Sequence, residues 1–211
     1  LKPGKPNTVT VQAFNAEGYL SSRGLEIEWT PPGTAEIKPP ILYAVVGGIA
    51  DYSNKDLQLR FAAKDAGDVA QALQRGARRL FGTSQVQLSL LTTLSAPGAM
   101  APTKANFQKV LDDIRSKARP EDVLVVYLAG HGVAMQRGSD LYCYLTQEAR
   151  SLDVAVLSDP AVRLQTTLTS EELGDWLKRI PAQKQVLILD TCAAGAAAAR
   201  LTQSREMSSD Q

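Results

Sequence analysis

Apolar residues recur along this chain with two spacings, and each predicts its own kind of element. From Thr8 to Phe14, and again from Leu25 to Trp29, hydrophobic and polar residues alternate. Asn15-Ala-Glu-Gly18 supplies a turn after the first stretch and Pro31-Pro32-Gly33 closes the second, which together read as a β-hairpin. Ile41–Val46, Val86–Leu91, Val123–Leu128 and Val186–Leu189 are short, near-continuous apolar runs, the pattern of buried strands. Phe61–Leu80 brings Ala62, Ala66, Val69, Ala70 and Leu73 near one helical face. Thr103 reads as an N-cap for a second helix, Lys104–Ala118, with Phe107, Val110, Leu111 and Ile114 on one side. Thr169-Ser-Glu-Glu172 has capping-box spacing for a third helix, through Ile180, which Pro181 terminates. Leu141–Leu145 reads as one arm of a polar hairpin region. Strands alternating with helices predict an α/β domain: an open, mostly parallel sheet with helices on both faces.

The domain layout follows from where these patterns change. Residues 1–33 are all β and resemble the last two strands of a fibronectin-type or immunoglobulin-like module; an extra hairpin packed on the main domain is the equal alternative. Residues 34–40 are Pro-rich and read as a linker, 41–200 form the α/β domain, and 201–211 are a polar tail expected to be mobile and open to proteolytic processing. Leu1-Lys-Pro-Gly-Lys-Pro6 has neither an initiator Met nor a signal-type apolar core, and reads as a start inside a longer protein.

With 211 residues, 44% hydrophobic and 21% charged, the chain has an ordinary globular composition. A net charge of +1 gives no reason to expect nucleic acid or a membrane surface as partner. No run approaches the roughly 18 apolar residues of a membrane span. One His and two distant Cys do not make a zinc set without carboxylates, so no metal or other cofactor is expected. Cys143, in the alternating Leu141-Tyr-Cys-Tyr-Leu145, is expected to be a packing residue.

The single histidine and the other cysteine carry the chemistry. His131 follows the run Val123-Leu-Val-Val-Tyr-Leu-Ala-Gly130 and precedes Gly132; Cys192 follows Val186-Leu-Ile-Leu-Asp-Thr191 and precedes Ala-Ala-Gly195. Parallel sheets present their reactive groups at the carboxyl ends of strands. A thiol and an imidazole delivered there supply a nucleophile and its base. Small neighbours leave room for a substrate.

Tyr127-Leu-Ala-Gly-His131-Gly132 resembles the histidine motif of the caspase–metacaspase clan of cysteine peptidases, and Asp190-Thr-Cys192-Ala-Ala-Gly195 resembles that clan's Asp-x-Cys-x-Ser-Gly nucleophile motif. The separation of 61 residues between His131 and Cys192 suits the family, and prokaryotic caspase-like proteins are the nearest in character. The resemblance covers about residues 41–200 and implies a caspase-like sandwich. It implies that Cys192 attacks a peptide carbonyl, that His131 acts as general base and acid, and that the backbone N–H groups of Gly132 and Cys192 form the oxyanion hole. No third catalytic side chain is evident. Leu59-Arg-Phe-Ala-Ala-Lys-Asp65-Ala66 resembles the metacaspase Leu-x-Gly-Cys-x-Asn-Asp-Ala pattern, so Asp65 and Asp190 are the expected acids of a pocket selecting Arg, then Lys, before the scissile bond. Arg60 nearby would instead mark an Asp-reading pocket.

Departures from the pattern are Ala129 and Ala194 where serines are usual. Gln136-Arg-Gly-Ser-Asp140 is a poor match to the acidic cluster with which many metacaspases bind calcium. The resemblance further implies a peptide or protein substrate, and a small-subunit chain from the same precursor that completes the sheet after proteolytic maturation. It also implies sensor or activator partners in regulated cell death or defence. A reduced thiol suits a cytoplasmic setting. The competing readings are a catalytically silent scaffold of the same fold and, resting on Gly47-Gly48 alone, a small-molecule-binding α/β domain.

Overall fold

The computed structural model describes residues 4–31, 38–135 and 141–195; the expected linker at 34–40 lies largely outside them, and the Gln136–Asp140 segment and the 201–211 tail lie wholly outside. The chain divides into two compact units between Pro39 and Pro40.

In the first unit β1 (Asn7–Val11) and β2 (Leu25–Trp29) pair antiparallel, Val9 opposite Ile27 and Val11 opposite Leu25. Directly opposed residues share a face. The hairpin therefore has one apolar side, from Val9, Val11, Leu25, Ile27 and Trp29, and one polar side, from Thr8, Thr10, Glu26 and Glu28. All five apolar side chains are exposed.

The second unit is built on a parallel sheet in the order β4-β3-β5-β9, from β3 (Leu42–Gly48), β4 (Val86–Thr92), β5 (Val123–Gly130) and β9 (Lys184–Thr191). Helix α1 (Ala62–Phe81) covers one face with Ala63, Ala66, Ala70 and Ala77. Helices α2 (Lys104–Lys117) and α5 (Ser170–Arg179) cover the other, where Phe107, Val110, Leu111 and Ile114 enter the main core with Tyr43, Val45, Leu124, Val126 and Leu128. Both expected caps are present: the Thr103 hydroxyl accepts from Asn106 N, and Thr169 with Glu172 forms the reciprocal capping box. A short antiparallel sheet, β6 (Gly132–Ala134), β7 (Tyr142–Leu145) and β8 (Thr167–Thr169), follows the tip of β5. Cys143 is fully buried on β7, as a packing residue should be.

Three features differ from the sequence pattern or give it another reason. The 186–189 run is not buried: β9 is an edge strand whose residues alternate in exposure, leaving Val186 48% and Ile188 42% exposed. Helix α3 (Val154–Leu157), helix α4 (Pro160–Thr166) and β8 are too short to show periodicity; Asp153 and Asp159 start the two helices by capping Ala155 N and Ala161 N. Gly47 and Gly48 lie within β3 and are explained by packing. A Cβ on Gly48 would meet Ala66 Cβ and lie 2.7 Å from Ala62 O, and one on Gly47 would lie 2.8 Å from the Phe107 ring.

The start of the sheet is held by Asp122, which has no exposed surface. Its carboxylate accepts from Ile41 N (2.8 Å) and Arg119 N (2.8 Å) and pairs with the Arg119 guanidinium at 2.8 Å. Burial pulls its pKa upward, but these donors outweigh that and hold it below the usual carboxylate value.

Candidate active site

The carboxyl ends of β5 and β9 are adjacent, and their register determines what meets there. Each rung pairs residue i of β5 with residue i+61 of β9, from Val123 with Lys184 to Gly130 with Thr191. The next residue on each chain is His131 and Cys192. Neighbouring strands lie about 4.8 Å apart, so the separation read along the sequence is the register of the ladder. Beyond the last rung, Cys192 backbone closes on Gly132: a Cβ placed on Gly132 would lie 2.5 Å from Cys192 O.

Each chain turns sharply at this point. Gly130 has φ +149, and a Cβ there would lie 2.7 Å from the Tyr52 hydroxyl. After Cys192, Ala193 adopts φ 57, the one positive φ on a non-glycine among the described residues. That left-handed turn costs about 1 kcal/mol and redirects the chain directly after Cys192, which lies one residue past β9 and is exposed. His131 is half-buried.

The imidazole is gripped from one side. His131 Nε2 lies 2.9 Å from Leu57 O. A carbonyl oxygen only accepts, so Nε2 carries the proton, and in the neutral ring Nδ1 is the bare nitrogen able to take one. The His131 backbone N–H donates to the Tyr52 hydroxyl at 2.9 Å, and the two rings lie 5.1 Å apart at 41°.

Three further tyrosines brace the strand ends. Tyr144 OH donates to Ala129 O (3.0 Å), Tyr142 OH and Thr191 Oγ1 share a hydrogen bond of 2.5 Å, and Tyr127 OH donates to Asp190 Oδ2 (2.7 Å). Burial raises the pKa of all four site tyrosines, with Tyr142 pushed up to about 12, so all remain protonated hydrogen-bonding groups at neutral pH.

Gly132 sits opposite Tyr144 in the β6–β7 ladder. Leu145 N bonds His131 O and Met135 N bonds Leu141 O, so the hydrogen-bonded pairs of this antiparallel ladder are at 131 and 145, 133 and 143, and 135 and 141. Gly132 falls between them, and its N–H is directed away from β7.

Of the two acids singled out in the sequence, Asp190 is exposed and fixed by Tyr127, and Asp65, in the first turn of α1, is close enough to the Tyr127 hydroxyl to add to its raised pKa. Both carboxylates thus act on one phenol, Asp190 through a hydrogen bond and Asp65 through its charge. Arg60 is exposed, with its guanidinium 5.4 Å over the Phe61 ring. Among the described residues no three His, Cys, Asp or Glu side chains converge as a metal site. Tyr52, Tyr142 and the Leu57 carbonyl carried no sequence signal.

Comparison with known proteins adds the following. A family model described as "Caspase domain" matches residues 42–210. No curated protein matches significantly. Among solved structures, protein GSU0716 from Geobacter sulfurreducens aligns at 14% identity with a TM-score of 0.49, over 81% of this chain and 64% of that one. The aligned part is thus less than two thirds of that protein's own length.

Proposed function

Because the chain belongs to the caspase domain family, we propose that it is a cysteine endopeptidase working through Cys192 and His131. The observation that carries this reading is the i to i+61 ladder, which ends with the imidazole-bearing and thiol-bearing residues next in line on adjacent strands. Nδ1 of His131 takes the thiol proton as Cys192 Sγ adds to the peptide carbonyl. The same proton passes to the leaving amine as the C–N bond breaks. Water, deprotonated by His131, then cleaves the thioester and regenerates the thiol. The N–H groups of Gly132 and Cys192 receive the oxyanion; Gly132 N–H suits this task because the β6–β7 ladder does not use it.

Specificity for Arg, with Lys second, follows from two carboxylates around Tyr127. Asp190 is bonded to the phenol, and Asp65, in the first turn of α1, adds to the negative charge acting on it. Together they suit a guanidinium, which forms charge-assisted bonds with both. The exposed apolar face of β9, Val186 and Ile188, and its edge, unpaired among the described residues, support a further part of the same precursor completing the sheet as a small subunit.

The test uses the full-length protein with fluorogenic peptides ending in Arg, Lys or Asp. Wild type is expected to prefer Arg, Cys192→Ala to lose turnover and self-cleavage, and Asp65→Ala to lose preference for Arg over uncharged residues. Turnover that survives in Cys192→Ala refutes the assignment. No turnover or self-cleavage by wild type favours a silent scaffold, and turnover confined to Asp peptides refutes the basic pocket.

A further inference from the structure

The segment between β3 and α1 does more than connect them. Leu59 N bonds back to Ala50 O, which closes residues 50–59 into a loop. The loop is tied to the far side of the site at two residues. Ser53 N and Oγ both donate to Gln147 O (2.9 and 3.1 Å), and Asn54 Nδ2 donates to Arg150 O (2.9 Å) while its Oδ1 accepts from Asp56 N (3.1 Å). Between these ties and β3 stands Tyr52, 6% exposed, with its hydroxyl reaching the one backbone amide that sets the origin of the imidazole.

We propose that Tyr52 is a positioning residue for His131, acting through its hydroxyl on the His131 N–H and through its ring on the imidazole face. The inference rests on the peptidase reading for its importance, but not for its geometry. A side chain is fixed when its Cα, its ring plane and one ring atom are all held. Tyr52 holds the first two, and Leu57 O, three residues beyond the Asn54 anchor, holds the third at Nε2. Gly130 makes room for this arrangement: any side chain there would collide with the Tyr52 hydroxyl. Removing the hydroxyl leaves the His131 N–H without its acceptor, and the backbone at the β5 tip moves to find another. A displacement approaching 1 Å at a catalytic group lowers rate by roughly 100-fold.

His131 is the only histidine among these 211 residues, and in the full-length protein its imidazole nitrogens are identified by 15N NMR as the signals lost in His131→Gln. Tyr52→Phe in the full-length protein is the test, with Tyr43→Phe as control, since that variant loses a buried tyrosine hydroxyl near the start of β3, at the other end of the sheet from the site. Wild type is expected to show protonated Nε2 and bare Nδ1. Tyr52→Phe is expected to average the two ring signals and lower kcat about 10- to 100-fold with KM changed less than about twofold. Tyr43→Phe is expected to leave ring signals and kcat near wild type. Unchanged ring signals and kcat in Tyr52→Phe, or equal changes in Tyr43→Phe, overturn the proposal. If Tyr52→Phe does not fold, Asn54→Ala, which frees the same loop from its half-exposed end, carries the test: averaged ring signals support positioning and wild-type signals refute it. A wild type that cleaves nothing would refute the peptidase reading, and the ring spectra would still decide the role of Tyr52.

Discussion

Substituting Gly132 tests the site where its parts are packed most closely. In Gly132→Ala the new methyl would lie 2.5 Å from Cys192 O, 2.5 Å from the Tyr142 hydroxyl and 2.7 Å from the Tyr142 ring. Ordinary van der Waals contact begins near 3.4 Å, so the methyl is about 0.9 Å too close to the Cys192 backbone and the Tyr142 hydroxyl and about 0.7 Å too close to the buried Tyr142 ring. Tyr142 has no exposed surface and its hydroxyl is bound to Thr191, so it does not swing away. Relief must come from the Cys192 peptide. Overpacking of this kind costs about 1–3 kcal/mol, which for a domain of this size lowers Tm by roughly 2–4 °C per kcal/mol. The larger effect is on chemistry: moving the Cys192 backbone by most of an ångström displaces the nucleophile and one of the two oxyanion donors, and kcat/KM should fall about 100-fold or more. The assay is kcat/KM on an Arg-ending fluorogenic peptide beside a thermal melt. A Gly132→Ala protein with Tm within about 1 °C and kcat/KM within about threefold of wild type would refute the packing argument and the oxyanion assignment built on it.

Other glycines and carboxylates give independent checks. Gly76 lies inside α1 with open space where a Cβ would sit, so Gly76→Ala should gain about 0.5–1 kcal/mol from helix propensity, seen as a Tm increase with unchanged kcat/KM. Ala193→Gly relieves the positive φ beside Cys192 and should stabilise by up to about 1 kcal/mol, read as a higher denaturant midpoint. Asp122→Asn leaves one oxygen for three donors and should cost about 2–4 kcal/mol by chemical denaturation at pH 7. Because the folded pKa of Asp122 is depressed, its contribution is complete above the unfolded value of about 3.9 and is lost as pH falls through the lower folded value. The stability gap between wild type and Asp122→Asn should therefore hold from pH 7 to about 5 and narrow below about 4.

What the sequence disclosed follows from how local each signal is. The face of α2, Phe107, Val110, Leu111 and Ile114, is legible because every member is buried by the same helix in the same period. The runs of β3 and β5 are legible because helices cover both their faces. The equally apolar run of β9 is not, since composition records what a strand can bury and not whether anything covers it; its outer face stays open at Val186 and Ile188. His131 and Cys192 stand out as rare residue types at strand ends, but the groups that orient them do not. Leu57 contributes a carbonyl that any residue has, and Tyr52 reaches His131 across 79 positions of chain. A tyrosine in a loop gives no hint that its hydroxyl is the acceptor for one particular amide.

The arrangement also explains why the site lies at this end of the sheet and not along it. Within the ladder β5 is paired on both sides, with β3 and β9, and every residue of β5 from Leu124 to Gly130 is buried. Along its length β5 therefore offers a substrate neither a free edge nor an exposed side chain. One residue past the last rung, pairing ends, Gly130 turns one chain and Ala193 the other, and the thiol is exposed. Register then does the aligning: with an offset of 61 the two tips end level, whereas a slip of one residue would set His131 against Thr191 or against Ala193. Such a slip would also carry the inward-facing Leu187 and Leu189 to the open face and Val186 and Ile188 into the core side. The hydrophobic pattern that fixes the fold thus fixes which side chains face each other at its edge, and the loop carrying Tyr52 has only to orient an imidazole that the sheet has already brought to the right place.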